Sequence, residues 1–328
     1  MVRYDNSLSA TTVVATRPLT DHIVEIELAA PGPGYRVEPG SHIDVGVTVG
    51  GRTETRSYSL VSRPGEHALR IAVKRHPDSR GGSAYMHSLR SGDRIVVSRP
   101  NNLFPLDHTR GEYLLVAGGI GITPLFSMAL TLAEGDADFR LVYLGRRRAD
   151  LAYVDELTEA LGDRLVVHLS ATGERFDVTV GIDELSPDAL LYVCGPIGLI
   201  DEARRGWAGS GRAPGRLRYE TFGSSGHRPP ERFTVRLRDH DREVVVEASE
   251  SLLAALRRAG VDVASDCERG ECGLCLLDVV EVDGELDHRD VFLSDRQRAS
   301  RTVMCVCVSR VVGSAVLDAL YRPDEAVV

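Results

Sequence analysis

Five of the chain's six cysteines crowd into its last quarter, and three of them are spaced Cys267-x4-Cys272-x2-Cys275. No other feature constrains the fold as tightly. A segment that turns three sulfurs inward over so few residues must bend sharply. Gly270 and Gly273 stand where such a bend needs permissive dihedrals. The N-terminus, MVRYDNSLSATTVV, has no basic start followed by an apolar run, so a cytoplasmic chain without a secretory signal is expected. In that setting clustered cysteines point to metal or redox work rather than to disulfides.

The spacing C-x4-C-x2-C with a distant fourth cysteine is that of plant-type [2Fe–2S] loops, where one loop wraps three thiolates around two irons. Zinc sites usually pair C-x2-C twice, and only Cys272 and Cys275 form such a pair here. A zinc-stabilised, non-catalytic binding module is therefore the distant alternative. The fourth thiolate comes from Cys305 or Cys307. Counting slightly favours Cys305, with 29 residues between it and Cys275.

The remainder of the chain supplies rhythm. At 328 residues, with 43% hydrophobic and 27% charged side chains, it is long enough for several cores and is neither disordered nor membrane-spanning. A net charge of −9 argues against nucleic acid as a partner and suits docking to a basic protein surface. Residues 10–100 read as short strands (TTVVATRPL, HIVEIELA, HIDVGVTV, TRSYSLVS, ALRIAVKR, DRIVVSRP) separated by turn clusters such as PGPG (31–34), which predicts an antiparallel barrel. From residue 112 strands alternate with helices, from EYLLVAGG and ITPLFSMALTLAEG through to ALLYVCGP, which predicts a parallel sheet flanked by helices. GSSGHRPPER (223–232) reads as a linker. Beyond it lie a hairpin around DHD, a short helix with Leu252, Leu253 and Leu256 on one face, and the cysteines. The expected architecture is multidomain: 1–110 as a barrel, 111–222 as an α/β domain, 223–232 as a linker, and 233–328 as an α+β cluster-binding domain.

Two further constellations suit cofactors. Arg56-Ser57-Tyr58-Ser59 ends a strand, where an arginine can pair with a phosphate, a tyrosine can stack on an isoalloxazine ring and a serine can bond its edge. Val73-Lys74-Arg75 ends another strand, and Arg80-Gly81-Gly82-Ser83 opens a helix with backbone N–H groups free for a phosphate. In the α/β region Gly118-Gly119-Ile120-Gly121-Ile122-Thr123-Pro124 links strand to helix, with Pro124 in the first helical turn. This is not the G-x-G-x-x-G fingerprint. Cys194-Gly195-Pro196 ends a strand of the same sheet, at the edge where open sheets bind ligands. Cys194 either flanks a nicotinamide or is simply buried. Arg146-Arg147-Arg148 either grips the extra phosphate of NADPH or is a solvated loop.

With these segments together the chain resembles the phthalate dioxygenase reductase and vanillate O-demethylase reductase family over nearly its full length. The motifs are RSYS (56–59), GGIGITP (118–124), VCGP (193–196), CERGECGLC (267–275), DHRDVFL (287–293) and CVSR (307–310). The resemblance implies an FMN barrel, a middle NADH domain and a C-terminal plant-type ferredoxin. It implies that Arg56, Tyr58, Ser59, Val73, Lys74, Gly81, Gly82 and Ser83 contact FMN. Gly119, Gly121, Thr123, Cys194 and Gly195 would face the nicotinamide nucleotide, with Gly118, Pro124 and Pro196 shaping the same turns. Glu220 and Phe222, in YETFG, match the segment that closes over the flavin. The metal ligands implied are Cys267, Cys272, Cys275 and Cys307. The chain departs from the family pattern within VVEVDGEL, where a short insertion shifts the count and leaves Cys305 a buried bystander.

The expected activity is that of a monomeric electron relay without an acid–base pair. Electrons pass from NADH through FMN and the cluster to a Rieske-type oxygenase, or alternatively to a cytochrome P450. NADH delivers two electrons together and the cluster accepts one, so the FMN must hand them on singly.

Overall fold

The structure is a computed structural model that describes residues 8–30, 37–49, 51–63, 65–66, 68–76, 81–108, 111–173, 175–222, 228–238 and 242–319. The turn expected at 31–34, Arg80, residues 223–227 of the expected linker and the DHD turn at 239–241 lie outside the described residues. The chain separates into two compact units, 1–220 and 221–328. Among the described residues no helix is long and apolar enough to cross a membrane.

The first unit holds two sheets. Strands β1 (Ser9–Thr20), β2 (Ile23–Leu28), β3 (His42–Val49), β4 (Arg52–Ser59), β5 (Leu69–Lys74) and β6 (Arg94–Val97) lie in the order β4-β3-β6-β1-β2-β5. All neighbours are antiparallel. Period-two burial drives the pairing: Ile43, Val45 and Val47 of β3, Leu69, Ile71 and Val73 of β5, and Ile95 and Val97 of β6 share one core. Leu60, just after β4, bridges Ile71 of β5, so the two ends of the row meet and the sheet curls into a barrel. Helix α1 (Gly82–Ser88) sends Met86 into that core. All six strands read from the sequence form.

The second sheet is parallel: β7 (Glu112–Gly118), β8 (Asp138–Gly145), β9 (Leu165–Leu169), β10 (Leu190–Cys194) and β11 (Leu217–Glu220), ordered β11-β10-β7-β8-β9. Every residue of β10 is buried, as expected of a central strand covered on both faces. Helices α2 (Ile122–Glu134), α3 (Val154–Leu161), α4 (Val178–Asp183) and α5 (Ile197–Gly209) connect the strands. Strand order reverses between β7 and β10, which makes the gap beyond their carboxyl ends the topological switch point. Helices α4 and α5 and strand β11 were not legible in the sequence. Glycines 198, 206 and 209 depress the helical signal of α5, and it forms because Ile197, Ile200, Ala203 and Trp207 bury one face.

The second unit has a mixed sheet of β12 (Phe233–Leu237), β13 (Arg242–Val246), β14 (Leu276–Asp287), β15 (Val303–Cys305) and β16 (Arg310–Asp318), ordered β13-β12-β16-β14-β15. β12 and β13 form the expected hairpin, and β12 runs parallel to β16. Helix α6 (Leu252–Arg258), capped by the Ser251 hydroxyl, buries Leu252, Leu253 and Leu256 against the sheet. Helix α7 (Asp295–Ser300) starts with a Ser294–Gln297 capping box. The α+β reading of this region holds.

Candidate functional site

The cysteine loop runs from the end of α6 to the start of β14. Gly270 and Gly273 both adopt left-handed φ, +78° and +74°, which a residue with a side chain resists. Space excludes one as well. A methyl at 270 would stand 2.6 Å from Val308 Cγ2, and one at 273 would stand 2.3 Å from the Phe292 ring. The bend directs three backbone N–H groups, of Arg269, Glu271 and Cys272, at Cys267 Sγ, each at 3.4 Å.

The sulfurs fall into two groups. Cys267 and Cys272 are hydrogen-bonded to each other, and burial pushes the Cys267 thiol up against the opposing pull of those N–H groups. Hydrogen bonds from Cys305 and Cys307 pull Cys275 down to about 3. Cys305 and Cys307 are raised, first by that same contact and then by burial. Cys307 Sγ also accepts the Gly270 N–H and feels the charge of Cys267, so it faces the loop. Cys305, fully buried on β15 opposite Leu276, feels Asp290 and its two cysteine neighbours. None of the six cysteines is in a disulfide. Among the described residues no three His, Cys, Asp or Glu side chains gather at one ion-sized point. A two-iron cluster asks instead for several soft sulfur donors around one site, and these clustered thiols, with N–H groups aimed at sulfur, fit it.

In the first unit, Arg56 leaves β4 to lie over the turn before α1. A methyl at Gly82 would stand 3.2 Å from Arg56 Nε, and Gly81 turns the chain with φ +96°. Ser83 Oγ accepts the His76 N–H at 3.2 Å, which ties this turn to the end of β5. A guanidinium over the backbone of a turn at a helix start suits a phosphate. Arg56 is meanwhile steadied by Glu54 at 2.5 Å. Tyr58 is half-buried, and burial pushes its phenol up to about 12 against the nearby Arg56, so it stays neutral. Val73 is buried in the barrel core and its carbonyl meets His87 Nε2 at 2.9 Å, while Lys74 is exposed. Ser59 donates to Glu220 Oε2 at 3.2 Å. This joins the end of β4 to the end of β11.

The nucleotide turns meet at the switch point. A methyl at Gly121 would stand 2.2 Å from the Cys194 carbonyl oxygen, and one at Gly118 would stand 2.7 Å from Pro196 Cδ. The ends of β7 and β10 therefore touch backbone to backbone. Gly119 (φ +56°) has nothing within 4 Å of its would-be Cβ, which leaves an open face for a ligand. Thr123 donates to the Ile120 carbonyl at 3.0 Å, and Thr123 and Pro124 are buried in the first turn of α2. Cys194 is fully buried, beside its register partner Glu220 on β11. Ser59, Glu220 and Cys194 thus line up between barrel and parallel sheet. Phe222 falls in the second unit and is half-buried. Arg146 and Arg147 follow β8 and are exposed, and Arg148 pairs with Asp155 at 2.7 Å.

Two networks escaped the sequence reading. Glu25 of β2 accepts the Tyr153 hydroxyl at 2.8 Å and Arg17 Nε at 3.1 Å. This strut runs from the barrel to the residue before α3. In the second unit Asp287 binds Arg289 at 2.6 Å, while Asp290 binds Ser309 at 3.1 Å. The second lies in the DHRD motif, whose residues gave no sign of these contacts, and nothing in the alternating HIVEIELA signalled the first.

A family model described as "2Fe-2S iron-sulfur cluster binding domain" matches residues 235–312, and "Oxidoreductase NAD-binding domain" matches 115–205. The chain is 39% identical to the heme-dependent oxidative N-demethylase beta subunit of Ectopseudomonas mendocina, over 93% of this chain and 96% of that one. It is 39% identical to phthalate dioxygenase reductase of Burkholderia cepacia, over 84% of this chain and 86% of that one. A solved phthalate dioxygenase reductase superimposes with a TM-score of 0.75 at 34% identity, covering 96% of this chain and 99% of that one. An intact type IV self-sufficient cytochrome P450 monooxygenase gives 0.65 at 33% identity, with 94% of this chain on 41% of that one.

Proposed function

Because the chain belongs to the phthalate dioxygenase reductase family, we propose that it hands electrons taken from NADH, through FMN and a [2Fe–2S] cluster, to a separate Rieske-type oxygenase that docks on its ferredoxin domain. It is an NADH-dependent iron–sulfur flavoprotein oxidoreductase, the reductase component of an oxygenase system. The observation that carries the reading is the meeting of Cys307 with the 267–275 loop, where three amides already converge on Cys267. An oxidoreductase of this kind is not a zinc-stabilised binding module, so that alternative falls.

The residues take the following parts. Arg56 and the amides of Gly81, Gly82 and Ser83 hold the flavin phosphate, with Lys74 adding positive charge at the barrel rim. Tyr58, kept neutral, offers a ring face and a hydroxyl without placing charge beside the flavin. The Ser59–Glu220 bond closes the site where barrel and parallel sheet meet. Gly118, Gly119 and Gly121 let the nicotinamide nucleotide approach the backbone at the switch point, with Gly195 and Pro196 as the opposite wall, Thr123 and Pro124 bracing the turn and Cys194 packed beneath. Phe222 belongs to the closing segment. Cys267, Cys272, Cys275 and Cys307 would hold the cluster, with Cys305 a buried neighbour. When bound, the flavin converts a two-electron delivery into single electrons that the cluster can carry. What the protein supplies is alignment, which alone accounts for large rate factors in a transfer between oriented partners.

The division into a flavin barrel (1–110), an NAD domain (111–222), a linker (223–232) and a ferredoxin domain (233–328) fits this relay, as do a cytoplasmic location and a monomer that docks transiently. A second reading, delivery to a cytochrome P450, is favoured by the likeness to part of the P450 fusion. The test is direct. The purified chain should carry stoichiometric FMN and acid-labile sulfide, bleach on anaerobic NADH addition, and support turnover by purified Rieske oxygenase. Turnover only with a P450 would select the second reading. A protein without sulfide after anaerobic reconstitution would sink both.

A further inference from the structure

The DHRD motif contributes no ligand to the function above, yet its last residue is the most deeply buried carboxylate near the thiols. Asp290 is 0% exposed, and a buried anion must be compensated. Its Oδ2 accepts the Leu293 N–H at 2.9 Å, its Oδ1 accepts the Ser309 hydroxyl at 3.1 Å, and His288 Nδ1 faces Oδ1 at 3.6 Å. Burial opposes ionisation, but the facing His288, the Leu293 N–H and the charge of Arg298 outweigh it and hold the carboxyl below its ordinary range.

Asp290 also lies against the cysteine loop. A methyl at Gly270 would stand 2.8 Å from Asp290 Cα, and the Gly270 carbonyl accepts the Val291 N–H at 3.0 Å. Cys305 also feels its charge, after the larger effects of Cys275 and burial. Ser309 clasps the two segments. Its hydroxyl accepts the Arg289 N–H at 3.2 Å while donating to Asp290, two residues past Cys307.

We infer that the Asp290 carboxylate is a fixed negative charge set behind the four-thiol site to hold the cluster's one-electron reduction potential low, with Ser309 the donor that moderates it. Adding an electron next to a desolvated anion costs Coulomb energy that solvent cannot screen, and charge and hydrogen bonds around the sulfurs are what tune such clusters. Asp290 is not one of the four thiol ligands and acts on the site only through its charge. The inference rests on the reading of Cys267, Cys272, Cys275 and Cys307 as ligands.

The experiment is an EPR-monitored redox titration of the full, cofactor-loaded chain, with the flavin midpoint as internal control. Asp290→Asn keeps the shape and removes the charge. The cluster midpoint should rise by at least a tenfold shift in the one-electron equilibrium, about 59 mV, with the flavin unmoved. Ser309→Ala leaves the charge and removes the donor, so the midpoint should fall. A residue that merely braces the turn would move neither. Wild-type midpoints in both variants, with the cluster signal intact, overturn the inference. If Asp290→Asn takes up no cluster, Ser309→Ala decides, and an unchanged or raised midpoint there overturns it. A wild-type chain without any cluster signal would instead overturn the ligand reading beneath it.

Discussion

Replacing Gly121 by alanine probes the switch point without confounding the backbone. Gly121 has φ −61° and ψ −4°, which any residue adopts. On conformational grounds alone the change would stabilise by about 0.4–1 kcal/mol. Space dictates the opposite. The new methyl would stand 2.2 Å from the Cys194 carbonyl oxygen, 2.5 Å from its carbon and 2.8 Å from the Gly195 nitrogen. Close carbon–oxygen contacts lie near 3.3 Å, so the turns after β7 and β10 must part by roughly 1 Å. Overpacking of this kind costs about 1–3 kcal/mol, and a shift of about 1 Å at a site that aligns two reactants costs on the order of a hundredfold in rate. Anaerobic stopped-flow mixing with NADH should therefore show flavin bleaching slowed about ten- to a hundredfold and half-saturation moved upward. The cluster's visible circular dichroism should be unchanged, because the second unit is untouched. Bleaching and half-saturation within about twofold of wild type would refute the claim that nicotinamide is bound where these two turns touch.

Three further outcomes are expected. Cys307→Ser should lose the [2Fe–2S] spectrum while Cys305→Ser keeps it with full sulfide content; the reverse pattern would return the fourth ligand to Cys305. Tyr153→Phe removes the 2.8 Å donor to buried Glu25 and should lower stability by about 1.5–3 kcal/mol, read by urea unfolding followed through flavin fluorescence, and an unshifted midpoint would deny the strut any role. At alkaline pH, burial raises Tyr58 to about 12 and pushes Tyr143 and Tyr153 higher still, from an ordinary 10.0. Each phenol holds its proton more tightly folded than unfolded. Their contribution is intact below about pH 10 and is lost as pH rises beyond it. Denaturation midpoints should fall above that pH, less so in Tyr58→Phe, and equal slopes in the two proteins would contradict this.

Where local pattern and tertiary demand coincided, the sequence was enough. The six barrel strands, the β7–α2 turn and the α6 face each follow from periodicity or from glycine in a tight turn, and the loop 267–275 follows from sulfur spacing alone. Counting left the fourth thiol between Cys305 and Cys307, because separation along the chain does not say which side of a strand end faces a loop. Cys305 points into the core of β15, whereas Cys307 lies in the turn beyond it and meets the Gly270 N–H. Helix α5 was hidden by its glycines and exists through the apolar face it buries.

The buried charges belong wholly to the fold. Glu25 alternates as though it faced water, yet it is only 6% exposed because Tyr153 arrives from 128 residues away to cover it. Asp290 sits in a motif whose purpose no spacing announces, and its surroundings come from Ser309, 19 residues on. Residue type and interval decided which cofactors this chain can hold, because thiolate spacing and glycine turns are local chemistry. Which charges are buried near the cysteine loop was decided only by tertiary packing, since desolvation and Coulomb interaction depend on distance in space and not along the chain.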